Sequence, residues 1–220
     1  MKLRCPIPNN HALTRVEVVF VVICGIVVGL VLLGFINEIG SKSKSQRISC
    51  VNNLKQIGLA YIIRGGDSEP DFHIQTSITN GGANELVQRG IAYASYQGMS
   101  NELVLPKILI CPADTNRFAA ASFSGGFGNQ NISYFVGVDA RESEPQTLLS
   151  GDDNFAIGSE SVKSGLLVLF SNTPIAWTAA RHHFAGNIGL ADGSVQQVSS
   201  SGLTNLLQQT GLATNRLAIP

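Results

Sequence analysis

Three hydrophobic patterns divide the chain. From Val18 to Ile36 nineteen residues run without a charge. A helix of that length spans about 28 Å at roughly 1.5 Å per residue, close to the roughly 30 Å hydrocarbon thickness of a bilayer. Residues 13–36 are therefore predicted to form a membrane-spanning helix, since backbone groups in lipid must be bonded within their own segment. After a polar interval from Asn37 to Gln46, the apolar residues Cys50, Leu54, Ile57 and Tyr61 recur at steps of four, three and four. Asn52, Asn53, Lys55 and Gln56 fall on other faces, so an amphipathic continuation of the helix is predicted over 37–64, ended by Gly65-Gly66.

From Asn131 the period changes to two. Strands are predicted over Ile132–Val138, Gln146–Ser150, Leu166–Phe170, Ile175–Ala179, Asn187–Ala191 and Ser194–Val198. Asp192-Gly193 predicts a two-residue type I′ hairpin between the last two. Residues 131–200 thus form an antiparallel sheet, and 201–220 a helix (Ser200–Gln209) with a loosely held tail to Pro220. Residues 65–130 carry a weaker α/β pattern, with a short helix over Asn84–Ala94 and a strand over Leu103–Ile110. The fold class is α+β, a long N-terminal membrane-spanning helix running into a soluble domain with a C-terminal antiparallel sheet.

A formal net charge of zero gives no electrostatic reason for nucleic-acid binding. None of the four cysteines lies at C-x-x-C spacing from another, which argues against a zinc ribbon or finger. Cys5 precedes the apolar run and Cys24 lies in it, leaving Cys50 and Cys111 as either a disulfide or two separate buried thiols. The loop Ser124–Asn129 matches neither glycine-rich phosphate motif. Ser, His and Asp are present, but no nucleophile signature accompanies them, and no enzyme is expected.

Two ends of the chain carry a resemblance. Ala12-Leu13-Thr14-Arg15-Val16-Glu17 followed by the apolar run resembles the N-terminus of type IV prepilins and type II secretion pseudopilins. Cys50–Gly58 is similar to a stretch found in one large bacterial subfamily of prepilin-like proteins. His182, nine intervening residues and Asp192-Gly193 match that subfamily's C-terminal H-X9-DG element. The resemblance implies cleavage of leader 1–12 by a prepilin peptidase between Ala12 and Leu13, N-methylation of Leu13, and a register-setting role for Glu17 against the new ammonium. It further implies self-assembly into a type II secretion pseudopilus or pilus-like filament, driven by an inner-membrane assembly platform and its ATPase. The subunit would sit in the inner membrane as a single-pass protein, its C-terminal domain outside the cytosol, before entering a periplasmic or surface filament. The alternative is a membrane-anchored binding domain that does not polymerise. No cofactor is required. Calcium, known in the pseudopilin family, is the one candidate, with Asp139, Asp152, Asp153 and Asp192 as available ligands.

Overall fold

The computed structural model describes residues 14–66 and 71–220, with the backbone alone for residues 32–40. Helix α1 (Arg15–Gly66) contains 52 residues and ends at the predicted glycine pair. Thr14 and Glu17 build a reciprocal cap at its start. Glu17 Oε2 accepts from the Thr14 backbone N–H at 2.7 Å and from its hydroxyl at 3.0 Å, while the Glu17 N–H donates to Thr14 Oγ1 at 3.4 Å. This is the S/T-x-x-E box that satisfies orphan donors at a helix N-terminus.

The expectation of a membrane span is corrected. Among the described residues no helix is long and apolar enough to cross a membrane. Single-pass inner-membrane anchoring, and the extracytoplasmic placement built on it, fall with the span. Two compact units divide between Lys42 and Ser43.

The unit from Ser43 onward is α+β with an antiparallel sheet. Short helices α2 (Asn84–Val87), α3 (Ala92–Gly98) and α4 (Ser100–Leu103) precede the strands β1 (Tyr134–Gly137), β2 (Leu148–Asp152), β3 (Phe155–Ile157), β4 (Glu160–Ser161), β5 (Gly165–Phe170), β6 (Ile175–Trp177), β7 (Ala185–Leu190) and β8 (Val195–Ser199). Helix α5 (Ser200–Gln209) and strand β9 (Thr214–Ile219) close the chain. Six strands form one sheet in the order β5-β9-β1-β2-β7-β8, and β4-β3-β6 form a second.

Side-chain alternation across the larger sheet creates two cores. Tyr134, Val136, Leu149 and Ala218 face one layer with Cys50, Leu54, Ile57 and Tyr61 of α1 and with Tyr96 of α3. Phe135, Leu148, Leu217 and Ile219 face the other, with Leu203, Leu206 and Leu207 of α5 and with Phe155 and Trp177 of the small sheet. A strand covered on both faces must be apolar at every position, which accounts for the unbroken Tyr-Phe-Val-Gly of β1.

Three local expectations change. The proposed strand over Leu103–Ile110 is instead the end of α4 and a 3₁₀ turn, Pro106–Leu109, with Pro106 opening the turn where no amide donor is needed. The helix expected over Asn84–Ala94 is two helices, separated at Gly90 with φ 78°. The tail to Pro220 is not loose, because β9 lies between β5 and β1 inside the sheet.

The Asp192-Gly193 hairpin also differs from the expected type. Leu190 N–H donates to the Ser194 carbonyl at 2.9 Å and Gly193 N–H to the Leu190 carbonyl at 3.0 Å, so the loop has three residues. Only Gly193 has positive φ, 80°, whereas a type I′ turn needs positive φ at both central residues. Asp192 accepts from the Ser194 N–H through Oδ1 at 2.8 Å, fixing the loop from within.

His73 is buried against this core, stacked on Tyr61 with ring centroids 5.4 Å apart, and its Nε2–H donates to the Ser95 carbonyl at 2.9 Å. Burial pushes its pKa from 6.5 down to about 4, so the folded state binds fewer protons than the unfolded chain between those values. The stability held by neutral His73 is complete above pH 6.5 and is lost as pH falls toward 4, by about 3 kcal/mol. Urea unfolding at pH 7 and pH ~4.5 should show this acid loss, and His73→Gln should remove most of it. An equal acid loss in the variant would place the sensitivity elsewhere.

Candidate functional site

Four segments singled out in the sequence meet at one buried polar centre. Cys50 arrives on α1, Cys111 follows the Pro106–Leu109 turn, Asp152 ends β2, and His182 precedes β7. Cys50 and Cys111 form a disulfide closing 61 residues of sequence separation, with Cα atoms 5.2 Å apart. This resolves the two alternatives left by the sequence. His182 Nε2 lies 3.3 Å from Cys111 Sγ and 3.6 Å from Asp152 Oδ2, and both its side chain and that of Asp152 are essentially without solvent contact.

The backbone carrying His182 is unusual. His182, His183 and Phe184 have φ of 52°, 49° and 60°, three consecutive non-glycine residues in the left-handed region. Each such residue costs roughly 1–2 kcal/mol, and strain of this kind concentrates where a side chain must be aimed. Here the turn buries His182 while leaving His183 and Phe184 exposed.

Asp152 is held from β7. Its Oδ2 accepts from the Asn187 backbone N–H and from Asn187 Nδ2, both at 2.8 Å. Its Oδ1 is buried without a hydrogen-bond partner. Burial raises the Asp152 pKa, with Arg181 and His182 opposing that rise. Burial lowers the His182 pKa, against the pull of Asp152.

A network of ion pairs adjoins this centre. Arg181 is buried, pairs with Asp153, donates to the Ser133 carbonyl at 2.9 Å, and lies 3.6 Å from Asp114 Oδ2 and 3.9 Å from Asp152 Oδ1. Arg117 reaches the second oxygen of Asp153 at 2.5 Å, and Ser133 Oγ donates to Asp114 at 2.8 Å. A cleft of about 220 Å³ gives Asp114, Arg117, Asp153 and Arg181 one wall toward solvent. Sequence reasoning missed Arg117, Arg181 and Asn187. The available signals were Arg181 directly preceding His182, and Asp114 within Cys111-Pro112-Ala113-Asp114.

The H-X9-DG residues do not converge. His182 and Asp192-Gly193 stand at opposite ends of β7, about 20 Å apart at strand rise. Each end touches α1. His182 meets the disulfide that starts from Cys50, and a Cβ on Gly58 would come within 3.3 Å of the Gly193 Cα. A Cβ on Gly193 would in turn stand 3.0 Å from Ile62.

The four carboxylates considered for calcium do not gather into one ligand set among the described residues. Asp139 is held by Arg216, whose Nε donates at 2.8 Å and whose backbone N–H donates at 2.7 Å. Asp153 pairs with two arginines, and Asp192 serves its turn. Among the described residues, Asp152 alone of the four belongs to a cluster of three or more potential metal ligands, the one with Cys50, Cys111 and His182. Ala12 and Leu13, the expected cleavage and methylation positions, lie outside the described residues. No family model, no curated protein and no solved structure matches the chain.

Proposed function

We propose that the chain is a structural subunit that works by self-assembly, in the manner its pilin-like N-terminal motif implies. The supporting observation is the first part of α1. Val16, Phe20, Ile23, Ile26 and Leu30 are more than half exposed, and the apolar residues between Val18 and Val31 occupy every face of the helix. A helix apolar all round is stable only when enclosed all round. Equivalent helices of further copies supply such an enclosure, packing ridges into grooves on each side. In this reading a prepilin peptidase frees Leu13, and an assembly platform with its ATPase adds subunits to a filament.

The experiment measures sedimentation of the full chain after co-expression with a prepilin peptidase, with mass analysis of the N-terminus. Large assemblies starting at Leu13 are expected, and Ile23→Asp with Ile26→Asp should return the chain to monomer. A wild-type chain that stays monomeric across the concentration range rejects the proposal. Glu17 can be dissected alongside. Gln retains the reciprocal cap while removing the charge, whereas Ala removes both. If the carboxylate sets register through its charge, Glu17→Gln and Glu17→Ala lose assembly equally. If the cap alone matters, only Glu17→Ala does.

A further inference from the structure

The geometry points to a second state of the Cys50–Cys111 centre: when the disulfide is reduced, Cys50, Cys111, His182 and Asp152 become a four-coordinate site for Zn²⁺. The ligand atoms of these four residues already lie within 4.8 Å of one another, and all four residues are buried. Tetrahedral zinc bound at about 2.3 Å to sulfur and about 2.0–2.2 Å to nitrogen and oxygen places neighbouring ligands roughly 3.3–3.8 Å apart. His182 Nε2 meets that spacing toward both Cys111 Sγ, 3.3 Å, and Asp152 Oδ2, 3.6 Å. The remaining movements are separation of the two sulfurs once their bond is gone and adjustment of the other ligand pairs, already within 4.8 Å, to that spacing.

Two independent features favour an ion there. Asp152 presents a fully buried carboxylate whose Oδ1 has no hydrogen-bond partner, with the Arg181 guanidinium 3.9 Å away, and a buried polar atom without such a partner calls for an explanation. Oδ2, the oxygen that faces His182, is held in place by two donors from Asn187, the kind of outer support that metal-bound carboxylates characteristically have. The left-handed turn at His182–Phe184 aims the imidazole at the sulfurs, which a merely space-filling residue would not require. Two thiolates and one carboxylate around Zn²⁺ leave one net negative charge, and the Arg181 guanidinium, 3.9 Å from Asp152, faces it.

The chemistry balances with a phosphine as reductant. The phosphine takes the oxygen of one water, its two hydrogens go to the sulfurs as the S–S bond breaks, and phosphine oxide and two thiols result. Zn²⁺ then displaces both thiol protons to solvent, forms two Zn–S bonds, and takes the imidazole nitrogen and a carboxylate oxygen in place of water. A small-molecule disulfide reverses this: it is reduced to two thiols, taking two protons from solvent, as the Cys50–Cys111 bond re-forms, which removes two of the four ligands and releases the ion.

The test uses the full chain carrying Cys5→Ser and Cys24→Ser, so that Cys50 and Cys111 are its only thiols. Phosphine-reduced and oxidised samples are titrated with Co²⁺, then with Zn²⁺. One Co²⁺ per chain is expected in the reduced sample, with the intense visible absorption of a tetrahedral site and a thiolate charge-transfer band, both abolished by Zn²⁺. The oxidised sample should take up none. His182→Ala should weaken Co²⁺ binding tenfold or more. Melting curves of the reduced chain provide a second readout, because ligation in the folded state raises Tm whereas capture by unfolded thiols lowers it. Zn²⁺ should raise Tm in the parent and not in His182→Ala. A reduced chain that binds no Co²⁺, binding unaffected by His182→Ala, or a Tm lowered by Zn²⁺ would each overturn the site.

Discussion

Removing Leu212–Pro220 is expected to abolish cooperative folding of the unit that begins at Ser43. The deletion looks conservative, since it takes only the last residues of the chain. It removes β9 from between β5 and β1, and with it every strand pair joining β5 to the sheet, from Gly165–Ile219 to Phe170–Thr214. The pairs Val136–Ala218 and Gly137–Leu217 go as well, leaving β1 as a new edge. Leu217 and Ile219 face the α5 core and Ala218 the α1 core, so both layers lose apolar cover. Burying Leu217 and Ile219 is worth roughly 2–3 kcal/mol each. Their loss and that of the ladders together compare with the roughly 5–15 kcal/mol that holds a domain folded. The Arg117 bond to the Pro220 carbonyl, 3.2 Å, and the Arg216 pair with Asp139 disappear too. Urea unfolding followed by far-ultraviolet dichroism should show no sigmoidal transition for the deletion. The milder Leu217→Ala should stay two-state with about 2–5 kcal/mol less stability. A truncated chain unfolding cooperatively near the parent's midpoint would show that β9 is dispensable.

This strand also shows where sequence legibility ended. Thr-Asn-Arg-Leu-Ala-Ile alternates only weakly, because its two faces meet two different cores and Ala218 fills the shallower contact. A strand buried on both sides lacks the period-two signature of a half-exposed one. The amphipathic part of α1 and α5 were legible because each buries one stripe. Cys50, Leu54, Ile57 and Tyr61 are all buried, as are Leu203, Leu206 and Leu207. The turn at Asp192-Gly193 was legible in place but not in type, since its three-residue closure depends on the pairing of Leu190 with Ser194. Leu103–Ile110 misled because its apolar residues cover a core through a turn rather than a strand, with Val104 at φ 62°. As for the site, Cys50, Asp152 and His182 each stood out in sequence, but residues so far apart along the chain carry no information on which of them meet. Arg181 and Arg117 gave no periodic signal at all.

Arg181→Met, made in the oxidised chain with chelator present, is expected to cost about 3–5 kcal/mol at pH 7, the range for breaking a buried charge pair from one side. The side-chain volume is nearly kept, so the effect is electrostatic. Asp153 would retain Arg117 alone, Asp114 would retain the Ser133 hydroxyl and the more distant Arg117, and Asp152 would lose the cation that opposes its burial. The Ser133 carbonyl would lose its donor as well. Asp152 already has a folded pKa above 3.8, and removing Arg181 raises it further. In the window between the unfolded value and that raised value the folded variant binds more protons than the unfolded chain. Its stability therefore falls as pH rises through the window and recovers as pH drops toward 3.8. The deficit of the variant against the parent should accordingly be largest at neutral pH and shrink at pH ~4, where the His73 contribution is shared by both proteins and His182, freed of the repulsion from Arg181, opposes protonation less. Adding Asp153→Asn to Arg181→Met should recover part of the loss, because one stranded carboxylate is then neutral. Unfolding midpoints measured at both pH values decide the matter. A deficit of the same size at pH 7 and pH ~4 would mean that Arg181 acts by packing, not by neutralising the aspartates around it.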